Sequence, residues 1–115
     1  MSINRIESTA RMTKAVVHGN TVYLSGITAD DRTETVEVQC QQIVDKIDAL
    51  LAQAGTSKSN LLSAQIWLTD INNWARFNTV WDAWGDPENT PARATVEGKL
   101  AAPGLLIEIM VIAAI

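Results

Sequence analysis

The C-terminal run LLIEIMVIAAI, residues 105–115, constrains this chain more than any other segment. Read as a strand, it places Leu106, Met110 and Ile112 on one side and Leu105, Ile107, Ile109 and Val111 on the other. A strand that is apolar on both faces belongs in the middle of a sheet, with both faces covered. The rest of the chain must supply those covers.

One cover is visible in the pattern. Val36, Cys40, Ile43, Val44, Ile47, Leu50, Leu51 and Ala54 recur at spacings of three and four, which gathers them on one face of a helix. Thr33 or Thr35 caps its start, and Gly55 stops it at the position where a left-handed residue is common. A second helix starts near Asn72 and carries Trp74, Phe77, Trp81 and Trp84 at helical spacing, which reads as a face packed on a sheet rather than a ligand cage. Residues 15–26, AVVHGNTVYLSG, read as a hairpin turning at Gly19-Asn20. The stretch ITADDRTE that follows is polar and turn-like. In LLSAQIWLTD, Ala64, Ile66 and Leu68 alternate against Ser63, Gln65, Trp67 and Thr69, as a strand requires. ARATVEG forms another strand between the breaks GDPENTP and AAPG.

The order is β-β-α-β-α-β-β, an α+β domain with a mixed or antiparallel sheet and two helices on one face. No linker or composition shift divides it, so residues 1–115 read as one domain. Two helices cover one face only. The open apolar face then buries against copies of the same chain, and a homo-oligomer is expected.

Composition narrows the function classes. Cys40 is the only cysteine and falls on the apolar helical stripe, so no internal disulfide or cysteine-based zinc site is expected, and a small buried hydrophobe is the plain reading. His18 is also alone, which argues against histidine metal binding and a Ser-His-Asp triad. The formal charge is −4, and the nine Lys and Arg residues are scattered, so no basic stripe answers a phosphate backbone. No segment reads as a membrane span, and no apolar run near the N-terminus reads as a secretory signal, so a cytoplasmic protein is expected.

Two charges break the strand pattern. Glu108 interrupts LLIEIMVI, and Arg93 opens the strand after Pro91-Ala92. Ionised groups beside a core are costly unless paired, hydrogen-bonded or used. They point to solvent at strand edges, or pair with each other, or form a pocket in which the arginine fork grips a carboxylate and the glutamate orients water. Spacing leaves these alternatives open.

Several segments in succession carry a resemblance: LSG at residues 24–26, DALLAQAG at 48–55, LTDINNWARFNTVWDAW, PARATVE and IEI. Together they resemble the Rid family, also called YjgF, of imine and enamine deaminases, and most of all its short YoaB-like branch. The resemblance runs from Arg5 to Ile115. It implies a chorismate mutase-like fold whose three protomers pack their sheets into a barrel-like core, with clefts between neighbours. It also implies hydrolysis of 2-aminoacrylate and related 2-imino acids to 2-keto acids and ammonia, with no metal or organic cofactor. Carried over by position, Arg93 matches the arginine that holds the substrate carboxylate, and Glu108 the glutamate that positions water. Ser25 matches the serine of the family's S-G turn beside the pocket, and backbone groups near Thr95 would help orient the water. Asn78 matches a recurrent asparagine of the second helix, assigned here to architecture before catalysis.

The chain departs from the family pattern at two places. Thr95 stands where typical members carry cysteine, so a thiol-based redox role is not implied. Met12 stands where a tyrosine lies over the pocket, so no phenolic hydroxyl comes from that position. A trimer that binds a small carboxylate or acts as a chaperone without catalysis is the competing expectation. The endoribonuclease and translation-inhibitor labels of the family come third.

Overall fold

Residues 2–115 are described by the structure, a computed structural model. The doubly apolar C-terminal run becomes β7 (Ile107–Ala114), and it lies in the middle of a seven-stranded sheet. The other strands are β1 (Ile3–Ser8), β2 (Thr13–His18), β3 (Thr21–Leu24), β4 (Ile27–Thr28), β5 (Leu61–Leu68) and β6 (Ala92–Glu97). Their spatial order is β1-β2-β3-β7-β5-β6, with β4 continuing β3 along β7. All pairs are antiparallel except β5–β6, which is parallel and therefore needs a crossover. Helix α2 (Trp74–Trp84) supplies it.

Helix α1 (Val36–Gln53) forms as its stripe dictates. The Thr35 hydroxyl accepts from the Val38 N–H at 3.3 Å, and Gly55, at φ 86°, takes the left-handed conformation just past the end. Its buried residues meet Ile107, Ile109, Val111 and Ala113 of β7 and Ala64, Ile66 and Leu68 of β5 in one core. Phe77, Trp81 and Trp84 of α2 close that core, and the Trp84 indole N–H donates to Asp48 Oδ2 at 3.0 Å. Gln39 is the one polar side chain fully buried among the described residues. Its Nε2 donates to the carbonyls of Glu34 and Gly104, and its Oε1 accepts from Leu106 N–H, which pins the approach to β7 onto α1.

Three details differ from the sequence reading. β1 is a strand, although its exposed side chains carry no alternating apolar signal. β4 lies inside the stretch read as a turn; two residues long, it exists through pairing with β7. Trp74 does not join the core face of α2 but is 51% exposed.

The two faces of the sheet differ in kind. Ile107, Ile109, Val111 and Ala113 turn toward the helices, whereas Glu108, Met110, Ile112 and Ala114 turn away. Val96 is 44% exposed, and by register with Trp67 and Glu108 it joins that open face; Tyr23 joins it opposite Ile112. The open face is apolar, as the C-terminal run requires.

Candidate functional site

Arg93 sits on β6, the outermost strand of one sheet edge. Its register partner is Ala64, a core residue, so its side chain leaves the sheet on the helix-covered side. There the guanidinium carbon lies 5.2 Å from the Phe77 ring centroid and 5.5 Å from that of Trp81. Cation–π attraction of this kind contributes about 0.5–2 kcal/mol and fixes the plane of the fork. One terminal nitrogen donates to Asn78 Oδ1 at 2.9 Å. The ion pairs among the described residues are Lys46–Asp30 at 2.6 Å and Arg76–Glu37 at 2.7 Å, and neither involves Arg93. The arginine is thus aimed and held, yet its charge is unmatched by a carboxylate. It lines an open cleft of about 340 Å³ with Trp74, Asn78, Trp81, Asp82, Thr90 and Pro91.

Glu108 lies on the opposite face. Its register partners are Trp67 and Thr28, and Trp67 in turn faces Val96, whose position on β6 has the opposite parity to Arg93. Arg93 and Glu108 therefore cannot meet within one protomer, and the sequence alternative of an ion pair between them is overturned. Thr95 shares the face of Arg93, in register with the core residue Ile66, so it also lies across the sheet from Glu108.

Around Glu108 the backbone is shaped for a carboxylate. From Tyr23 to Ile27 the β3–β4 segment advances four residues while β7 advances three, from Ile112 to Ile109. The extra residue is a bulge at Ser25-Gly26, a device that bends a strand and re-aims side chains beside sites. A Cβ on Gly26 would collide with Glu108 Oε2. The S-G turn is thus the space into which the glutamate folds.

Two hydroxyls are shielded from solvent without a partner in the protein, Ser25 Oγ and Thr95 Oγ1. An unpaired buried hydroxyl costs about 1–3 kcal/mol, so each needs an explanation. One lies in the Glu108 half and one on the strand of Arg93. Met12 is 41% exposed and lies just before β2. No group of three or more His, Cys, Asp and Glu side chains suited to a metal occurs among the described residues. No helix is long and apolar enough to cross a membrane.

Comparison with known proteins decides the family. The profile described as endoribonuclease L-PSP matches residues 2–115. A RutC family protein of Haemophilus influenzae is 41% identical over 114 residues, 98% of each chain. The RutC family protein YoaB of Escherichia coli is 37% identical over 115 residues, the full length of both.

The chain belongs to the endoribonuclease L-PSP family, the RutC or YjgF proteins.

Among solved structures, a YjgF family member from Neisseria meningitidis superposes with a TM-score of 0.96 at 38% identity, covering 99% of this chain and 95% of that one. The expected α+β fold of this family, with its mixed sheet and two helices, is therefore the fold observed. Within this RutC-type chain, the sequence reading named Arg93, Thr95, Glu108, Ser25 and Met12 as candidates and left Asn78 to architecture. Asn78 Oδ1 accepts directly from the guanidinium. Its signal was available, because Trp74, Asn78 and Trp81 share one stripe of α2 at spacings of four and three. The role of Gly26 had no such signal, since it depends on the register between β4 and β7.

Proposed function

We propose that the protein is a cofactor-free hydrolase of 2-imino acids of the 2-aminoacrylate and 2-iminopropionate type, acting in the cytoplasm as a homotrimer with sites between protomers. The observation that carries this reading is Arg93, a guanidinium oriented by Asn78 and two aromatic rings with no acidic partner among the described residues. Such a fork matches a substrate carboxylate.

The reaction asks little of the protein. Arg93 fixes the carboxylate and draws electron density from the adjacent imine carbon. Water adds to that carbon, with Glu108 of a neighbouring protomer taking one of its protons and the imine nitrogen gaining one from solvent. Glu108 returns its proton to the carbinolamine nitrogen, the hydroxyl proton passes to solvent as the C=O bond forms, and the C–N bond breaks to release ammonia. Imine and water become keto acid and ammonia, with nothing oxidised or reduced. The open apolar face supports assembly, and the opposite-face placement of Arg93 and Glu108 supports a site made by two chains.

The test is competition for an imine formed in situ. An amino-acid oxidase generates the imine, semicarbazide traps it, and added protein should divert it to keto acid. No diversion across several imines would sink the reading and leave a carboxylate-binding trimer. RNA cleavage that survives both repurification and Arg93→Ala would favour the endoribonuclease description of the family.

A further inference from the structure

The cleft beside Arg93 does not end at the guanidinium. A more enclosed pocket of about 180 Å³ lies next to it, lined by Leu61, Trp81, Trp84, Pro87 and Pro91 among others. The two share Trp81, Asp82, Thr90 and Pro91 as a common wall. Trp74, half-exposed, forms the outer side of the cleft on the same stripe of α2 as Asn78 and Trp81.

An apolar cavity of about 150 Å³ holds a benzene molecule, so this pocket has room for a six-membered ring. Trp81, Trp84, Pro87 and Pro91 give it surfaces suited to a flat apolar group, while Lys58, Asp82, Asp86, Asn89 and Thr90 make its remaining lining polar. Lys58 lies over the Trp84 ring at 5.4 Å and covers one side.

We infer that the site selects 2-imino acids with an aromatic side chain: the carboxylate rests on Arg93, and the ring passes Trp74 and Trp81 into the pocket floored by Trp84. This rests on the deaminase reading for its chemistry, but the selectivity stands on the cleft alone. A methyl side chain is too short to fill the pocket beyond the shared wall.

The experiment measures binding and turnover separately. Phenylpyruvate and pyruvate, the keto acids of an aromatic and a small substrate, are titrated calorimetrically into the assembled protein. Phenylpyruvate should bind at least tenfold more tightly. Thr90→Trp, which fills the shared wall from an exposed position, and Trp74→Ala, which removes the outer side, should each cut that preference to below threefold. Equal affinities in the wild type would overturn the inference. So would a preference that survives both variants, an equal loss for both keto acids, or dissociation of the assembly by Trp74→Ala, which would make that tryptophan a subunit contact. Selective binding without imine turnover would reject the deaminase reading alone.

Discussion

Asn78 Oδ1 accepts a hydrogen bond from a terminal nitrogen of Arg93 at 2.9 Å, so the guanidinium is aimed by a helix it does not belong to. The strand supplies the charge and α2 supplies its direction. Asn78→Ala should raise KM for a carboxylate substrate about tenfold, equivalent to about 1.4 kcal/mol, with little change in melting temperature. Steady-state kinetics with thermal unfolding checks this; an unchanged KM would show that the aromatic rings alone set the fork.

Gly26 answers to Glu108 in the same way. Gly26→Ala places a methyl where the carboxylate folds, so the glutamate must rotate away. Overpacking of this kind costs about 1–3 kcal/mol. Imine turnover should fall more than tenfold while keto-acid binding at Arg93 is retained, a split that calorimetry and the trapping assay resolve together.

Fully buried Gln39 holds the segment before β7 through hydrogen bonds with Gly104 and Leu106 and makes a third to the Glu34 carbonyl. Gln39→Leu leaves two carbonyls and one N–H without partners. At roughly 1–3 kcal/mol for each orphaned group, the loss should exceed about 3 kcal/mol. A urea midpoint within error of wild type would contradict it.

Burial pushes the Cys40 thiol up to about 12. The native protein should therefore resist iodoacetamide at pH 8 and label fully in denaturant. The raised value has a second consequence. The thiol contributes stability fully below the unfolded-chain value of about 9, and this is lost as pH climbs toward 12 because only the unfolded chain ionises. The slope approaches about 1.4 kcal/mol per pH unit. Comparing urea midpoints of wild type and Cys40→Ala between pH 9 and 11 isolates it.

The parts of the fold legible in the sequence were those governed by local periodicity. The α1 stripe, the alternation in β5 and the two-sided β7 each announce themselves within a single segment. β1 did not, because an edge strand with polar side chains has no burial to leave a pattern. β4 did not, because two residues become a strand only through pairing with Ile109 and Glu108. At the site, Arg93 and Glu108 stood out as charges among apolar neighbours. Which face each takes depends on registers that join residues far apart in the chain. Trp74 followed the helical period of its neighbours and still lies outside the core, since periodicity gives a direction but not what lies along it.

The opposite placement of Arg93 and Glu108 has a consequence for mixtures. If each site draws its arginine from one chain and its glutamate from the next, two dead variants can repair one another. Arg93→Ala and Glu108→Gln, each inactive alone, should regain activity when co-expressed or unfolded and refolded together. Random assortment in a closed ring leaves about one quarter of the junctions with both wild-type residues. Two null alleles in one cell would then restore the function that neither encodes, and dilution below the assembly threshold would abolish it again.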